Sequence, residues 1–208
     1  MKNIFYIMGK SSTGKDTIFN MLKNDKELNL KNIVPWTTRP MRNGEVHGRE
    51  YFFVDEEKLN ELTKMNKVIE CRSYNTIKGI WHYFTVINDS LDLTNYNYLL
   101  TGTLENYKKI TNYFDINFEK SIVVPIYIYV QNEERLLRAI RRETNGNFAY
   151  NEMLRRFMYD EIDFSQENIK KNEINNIYEN NQLNLCYKNI KDDIIKYIKR
   201  SSENDGNK

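Results

Sequence analysis

The stretch from Lys2 to Asp16, KNIFYIMGKSSTGKD, constrains the fold of this chain more than any other. A short apolar and aromatic run stops at Gly9, as a buried strand closed by a turn does. From about Lys15 onward Ile18, Met21 and Leu22 recur at helical spacing. The spacing predicts a strand, a glycine loop and a helix in succession. Gly9, Gly14 and Lys15 stand at the intervals of a phosphate-binding loop, in which glycines let the backbone curl and turn its N–H groups inward. The helix N-terminus adds its positive end, and Lys15 adds a full charge beside the β- and γ-phosphates of a triphosphate. Gly9, Ser11, Ser12, Thr13, Gly14, Lys15, Asp16 and Thr17 are the candidate nucleotide contacts. The alternative is a glycine-rich turn with no ligand.

The residue after the lysine is ordinarily a Ser or Thr whose hydroxyl ligates magnesium, and here it is Asp16. A carboxylate beside polyphosphate is repelled unless a cation lies between them, so one reading makes Asp16 a Mg²⁺ ligand. The other reads Asp16 as an acidic residue in the first turn, favoured by the helix dipole.

Further strand candidates, Tyr96 to Leu100 and Ser121 to Val130, are each followed by a helical stretch, Leu104 to Tyr113 and Asn132 to Glu143. Strands alternating with helices predict an α/β fold, a parallel sheet flanked by helices. Residues 35–85 interrupt that rhythm with turns at Pro40, Asn43-Gly44 and Gly48, and read as an inserted lobe. Arg135 to Arg156 carries six arginines around an Asn145-Gly146-Asn147 break, which reads as a mobile helical lid or, more simply, as a solvated helix face. Ile174 to Tyr178 reads as the last strand, Ile190 to Ile198 as a helix, and residues 201–208 as a frayed tail. The division expected is a single domain with a core of residues 1–34 and 86–200, the lobe at 35–85 and the lid at 135–157.

Within the lobe, Arg39, Arg42 and Tyr51 surround tight turns in TTRPMRNGEVHGREYFF. Guanidinium groups fit phosphate oxygens in bidentate fashion and a phenol completes the shell, so these three can hold a phosphate opposite the glycine loop.

With these residues on the page the chain resembles the guanylate kinase family, which joins a phosphate loop to a T-T-R-x-x-R-x-G-E-x-x-G-x-x-Y-x-F lobe. The resemblance runs from Asn3 to about Ile198. It implies a P-loop kinase fold with an acceptor-nucleotide lobe and a helical lid, moving the γ-phosphoryl of ATP, with Mg²⁺, to a nucleoside monophosphate such as GMP or dGMP. It further implies that Arg39, Arg42, Glu45 and Tyr51 serve the acceptor phosphate and that Glu70 accepts hydrogen bonds from guanine. By the same likeness Arg138, Arg142 and Arg156 close over the moving phosphoryl with Lys15, and Asn180 borders the ATP site.

The departures concentrate where base and metal are read. Pro35-Trp36 replace hydroxyl residues, and Thr101 and Thr103 replace the two acids of a D-x-D motif. Trp81 or Tyr83 can take over acceptor contacts from a Y-G-[ST] segment, or simply pack. The G-K-D loop also resembles that of the ribose 1,5-bisphosphate phosphokinases, whose acceptor has no purine. A non-catalytic module of guanylate kinase type is the reading from a different class.

Composition narrows the rest. Lys and Arg number 31 against 29 Asp and Glu, too balanced for a chain that grips nucleic acid. No run approaches the roughly 18 apolar residues of a membrane span, and the first residues lack a secretory pattern. Two cysteines, Cys71 and Cys186, and two histidines, His47 and His82, leave too few soft ligands for zinc. The expectation is a cytoplasmic, monomeric or homodimeric protein acting on a small molecule, any metal being oxygen-bound.

Overall fold

In the computed structural model, which describes residues 2–76, 79–87, 91–118, 122–144 and 149–205, the first strand lies at the centre of the molecule. All five residues of β1 (Ile4–Met8) are fully buried, because both faces of the strand are covered. Side chains alternate across a strand. Ile4, Tyr6 and Met8 pack with Leu104, Tyr107, Ile110 and Phe114 of α3 (Leu104–Asn117), whereas Phe5 and Ile7 join Ile18 and Leu22 of α1 (Lys15–Lys23). Cys186, Ile190 and Ile194 of α7 (Leu183–Asp205) complete that second face.

The main sheet has the order β2-β7-β1-β8-β9, with β2 (Lys31–Asn32), β7 (Tyr98–Gly102), β8 (Val123–Tyr129) and β9 (Ile177–Glu179), and every pairing is parallel. The predicted parallel α/β core is therefore present. A second sheet, β4-β3-β6-β5, is built from β3 (Trp36–Thr37), β4 (Phe52–Phe53), β5 (Val68–Thr76) and β6 (Gly79–Val86). Against it lies α2 (Glu56–Lys64), capped by Asp55, whose carboxylate accepts from Lys58 N–H; Leu59 and Leu62 meet Phe84 and Val86 in a small core of their own.

The arginine-rich region forms α4 (Asn132–Thr144) and α5 (Tyr150–Asp163), followed by α6 (Gln166–Lys171); the Asn145-Gly146-Asn147 break between them lies outside the described residues. Several boundaries differ from the sequence reading: the strand expected over Tyr96 to Leu100, for one, runs from Tyr98 to Gly102. The helix expected to stop at Tyr113 continues to Asn117, with Phe114 buried. The last strand begins at Ile177, and Ile174 packs into the core before it. The helix expected over 190–198 runs from Leu183 to Asp205. Its end is held rather than frayed at Ser201, whose hydroxyl accepts from Asn3 Nδ2 at 2.8 Å and donates to the Tyr197 carbonyl at 3.0 Å. Residues 206–208 lie outside the description. Among the described residues no helix is long and apolar enough to cross a membrane.

Candidate active site

The glycine loop leaves the end of β1 and enters α1 at Lys15, as the sequence predicts. Two positions give it its curl: Ser12 and Gly14 have φ of 65° and 82°, in the left-handed region that opens the backbone N–H groups inward. The loop is also held too closely for side chains at its glycines. A Cβ at Gly9 would lie 2.5 Å from the Ile128 carbonyl oxygen, and one at Gly14 would lie 2.7 Å from Asn180 Nδ2. Asn180 is a junction: its Nδ2 donates to the Thr13 carbonyl at 2.8 Å, its N–H donates to Tyr129, and its carbonyl accepts from Arg138 Nη2 at 3.1 Å. Thr13 turns its hydroxyl back onto the Lys10 carbonyl. Lys15 Nζ bonds Asp16 Oδ1 at 2.9 Å, with the Asp16 side chain 78% exposed. Thr17 is exposed on the first turn of α1.

Two buried polar atoms of this loop region have no hydrogen-bond partner among the described residues, Ser12 Oγ and Asn180 Oδ1. Orphaned polar atoms beside a glycine cradle suit a polar ligand. The Ser12 hydroxyl can donate to a phosphate oxygen, so the curled loop fits the phosphates of a nucleotide, whereas Asn180 Oδ1, an acceptor, suits a donor group instead. The loop residues also fit Mg²⁺, which keeps several waters and takes one carboxylate plus phosphate oxygens; Asp16 is such a carboxylate, and no group of three acidic, His or Cys side chains gathers among the described residues.

In the lobe, Thr37 and Thr38 tie β3 to β6 by hydrogen bonds with the main chain of His82, and Thr37 Oγ1 also receives Arg39 N–H. Arg39 is buried; its Nη2 meets Glu45 Oε1 at 2.7 Å, while Glu45 Oε2 accepts from Arg42 N–H at 2.7 Å. Glu45 therefore braces both arginines through one turn, in which Gly44 has φ of 83°. The bond to Arg39 holds its carboxyl below the ordinary glutamate range, against the opposing effect of burial. The Arg39 guanidinium lies 5.7 Å from the Tyr51 ring centroid, and the Tyr51 and Tyr83 rings meet edge to face at 5.7 Å. Burial opposes the Arg39 charge, but the hydrogen bonds of Glu45 and Tyr83 outweigh it. Burial raises the Tyr51 hydroxyl above the ordinary phenol value; Tyr83 and the Asp16 carboxylate add to the rise, and Arg39 and Arg72 oppose it.

The structure gathers Arg39, Glu45, Tyr51 and Tyr83, with the Arg42 side chain exposed at their edge. Trp81 is one row away, opposite Tyr74 in the β5–β6 pairing. Glu70 is buried, its oxygens taken by Thr85 Oγ1 and Arg72 Nε. Thr103 caps α3, its hydroxyl accepting from Asn106 N–H and its carbonyl from the Tyr6 hydroxyl. Thr101 Oγ1 is buried without a partner among the described residues. Of the lid arginines, Arg138 reaches Asn180; Arg142 and Arg156 are paired with Glu143 and Glu152 on their own helices, each about half exposed.

Side chains of α4 and α5 fasten the glycine loop from the far half of the chain, and of these the motifs singled out none that bonds it here. Lys10 Nζ lies 2.6 Å from Glu161 Oε2, and Glu161 Oε1 lies 3.0 Å from Nη1 of the fully buried Arg135. Asp160 Oδ2 accepts from Ser11 N–H at 2.6 Å. Burial disfavours the Glu161 charge, yet Lys10, Asn132 and Arg135 outweigh it and hold its pKa below the ordinary value. Arg135 belonged to the arginine-rich stretch, but nothing local distinguishes a buried arginine from a solvated one.

A curled glycine loop at the end of a central parallel strand, with an arginine and tyrosine cluster on an inserted sheet, places the chain in the class of P-loop α/β folds. Within that class, residues 1–86 match the family model described as Guanylate kinase. The chain is 41% identical over 78 residues to a guanylate kinase of Syntrophomonas wolfei, covering 36% of this chain and 39% of that protein. With a guanylate kinase of Blochmanniella floridana it shares 35% over 88 residues, 42% of this chain and 40% of the relative. The matched segment thus spans about two fifths of the length of these curated relatives. The crystal structure of guanylate kinase from Anaplasma phagocytophilum superposes with a TM-score of 0.63 at 20% identity, covering 94% of this chain and 85% of that one. The chain has the guanylate kinase fold, and the likeness in sequence lies in its first 86 residues.

Proposed function

We propose that this chain is an ATP-dependent phosphotransferase that moves the γ-phosphoryl group of ATP to the phosphate of a nucleoside monophosphate, GMP or dGMP in line with its named relatives. The observation that carries this reading is the curled loop around Ser12 and Gly14 at the end of β1, together with the Arg39, Glu45, Tyr51 and Tyr83 cluster on the inserted sheet. ATP is held by Gly9, Ser11, Ser12, Thr13, Gly14, Lys15, Asp16 and Thr17, with Asn180 at its border. Arg39, Arg42 and Tyr83 bind the acceptor phosphate beside Tyr51, and Glu45 braces the two arginines. Trp81 and Thr103 line the acceptor side.

Mg²⁺, held by Asp16 through water or directly, supplies neutralisation of polyphosphate charge. Lys15 and Arg138 stabilise charge on the moving phosphoryl, joined by Arg142 and Arg156 when the lid segments close. No general base is required, because the attacking oxygen belongs to a phosphate that is already ionised. The working parts are the core of residues 1–34 and 86–200, the acceptor lobe at 35–85 and the lid at 135–157. The protein works on small molecules in the cytoplasm, as a monomer or homodimer, without nucleic acid or membrane.

The test is ADP release from ATP and Mg²⁺ across GMP, dGMP, AMP, UMP, CMP and ribose 1,5-bisphosphate, with Lys15→Ala as the blank. Turnover with a nucleoside monophosphate that vanishes in Lys15→Ala is expected. Turnover with the sugar bisphosphate alone would replace the acceptor. Absence of turnover, together with no heat on mixing with any nucleotide, would point to a binding module.

A further inference from the structure

The β5–β6 ladder sets three cross-strand rows on one face of the lobe: Glu70 opposite Thr85, Arg72 opposite Tyr83, and Tyr74 opposite Trp81. The first row is closed. The Glu70 side chain has no exposed surface; Thr85 Oγ1 donates to its Oε1 at 2.8 Å and Arg72 Nε donates to its Oε2 at 3.2 Å. A carboxylate so enclosed is not presented to a base. With Thr103 in place of an acid, neither of these two positions offers guanine's N–H donors a free carboxylate.

The middle row is open. Arg72 is mostly buried, at 15% side-chain exposure, and spends its Nε on Glu70. Its Nη1 and Nη2 form no hydrogen bond to a described residue. Its electrostatic neighbours are Glu70, Tyr74, Tyr6 and Tyr51, and the ring of its cross-strand partner Tyr83 meets Tyr51 edge to face at 5.7 Å. Arg72 therefore stands between the closed carboxylate row and the acceptor-phosphate cluster. Two parallel N–H groups of a guanidinium match phosphate oxygens, and a fork pre-oriented by a carboxylate on its Nε loses little freedom on binding.

We propose that Arg72 is a third guanidinium for the acceptor phosphate and that Glu70 is its positioning residue, so that acceptors are selected by their phosphate and the base is tolerated. This rests on the phosphotransferase reading above. It gives the acceptor class as phosphomonoesters of nucleosides without regard to a guanine N–H edge.

The test is equilibrium titration of the full chain with GMP, IMP, AMP and ribose 5-phosphate, alongside initial rates with the same acceptors. IMP differs from GMP by the amino group that a guanine-reading carboxylate would hold. GMP and IMP are expected to bind within about fivefold of each other, whereas a site built on that hydrogen bond discriminates by on the order of 10⁴. Arg72→Met weakens every phosphomonoester about tenfold or more, the size of one charge-assisted bond. Acceptor KM rises while KM for ATP stays, and Arg72→Lys recovers part of the loss. Glu70→Gln weakens acceptors without changing their order. Strong preference for GMP over IMP that collapses in Glu70→Gln, with Arg72→Met binding as wild type, would overturn the assignment. If the binding pattern holds but no acceptor is turned over, the phosphotransferase reading fails and Arg72 keeps its role; silence toward every phosphomonoester overturns both.

Discussion

Replacing Glu161 by leucine removes the carboxylate that two buried cations share. The side chains of Lys10 and Arg135 are 9% and 0% exposed, and each is paired with a different oxygen of Glu161. Arg135 already has Nε and Nη2 buried without partners among the described residues, so Glu161 carries most of its compensation. Breaking a buried pair from one side costs about 3–5 kcal/mol. Glu161 itself is 32% exposed, and water screens part of that, which places the expected loss near the lower bound, about 3 kcal/mol. For a chain of this length that corresponds to a melting point lower by roughly 10 °C. Urea unfolding followed by circular dichroism measures the loss, with the slope against denaturant as the check that only stability has changed. Replacing Arg135 by leucine as well should restore part of it, since an apolar pair of similar volume is close to neutral. Acid provides a second check. The folded-state pKa of Glu161 is depressed, so its contribution is complete above the ordinary glutamate range and is lost as pH falls through the folded value. The gap between wild type and Glu161→Leu should therefore be constant near neutrality and narrow in acid. A leucine variant as stable as wild type, or a gap that persists unchanged in acid, would refute the reasoning.

Gly9→Ala places a Cβ against the Ile128 carbonyl of a central strand that cannot retreat, so a loss of about 1–3 kcal/mol is expected in urea, with ATP affinity reduced more than the fold. An alanine variant that binds ATP as wild type would show that the loop is looser than drawn. Asp16→Ala should raise the magnesium concentration for half-maximal turnover; an unchanged requirement would leave Asp16 as a helix-end charge.

Much of the core was legible because its signals are local. The apolar run before Gly9 and the spacing of Gly14 and Lys15 fix strand, loop and helix within a few residues of one another. The turns around Arg39, Gly44 and Gly48 likewise mark in sequence the residues that the lobe gathers. What stayed hidden depends on register and on distance along the chain. The sequence names both Trp81 and Tyr83 as candidates, and which of the two meets Tyr51 is set only by the β5–β6 ladder, with its irregularity between Val68 and Glu70, which puts Tyr83 opposite Arg72; a one-residue slip would send it to the other face. Lys10 and Glu161 are 151 residues apart, and no local pattern couples them. The length of α7 was underestimated for a similar reason, since its last turn is secured by Asn3 at the opposite end of the chain.

The tethers of the phosphate loop bear on how a chain like this can diverge. Ile128 packs under Gly9, Asn180 holds Thr13, Asp160 takes the Ser11 amide and Glu161 takes Lys10. All four lie beyond residue 86, in the part that the family model does not cover. The loop's recognisable letters and the groups that give it shape are therefore inherited in separate halves. A chimera that joins residues 1–86 to the second half of a guanylate kinase would keep the motif but exchange its supports. Substitutions in the less similar half are free only where they leave those four footholds standing.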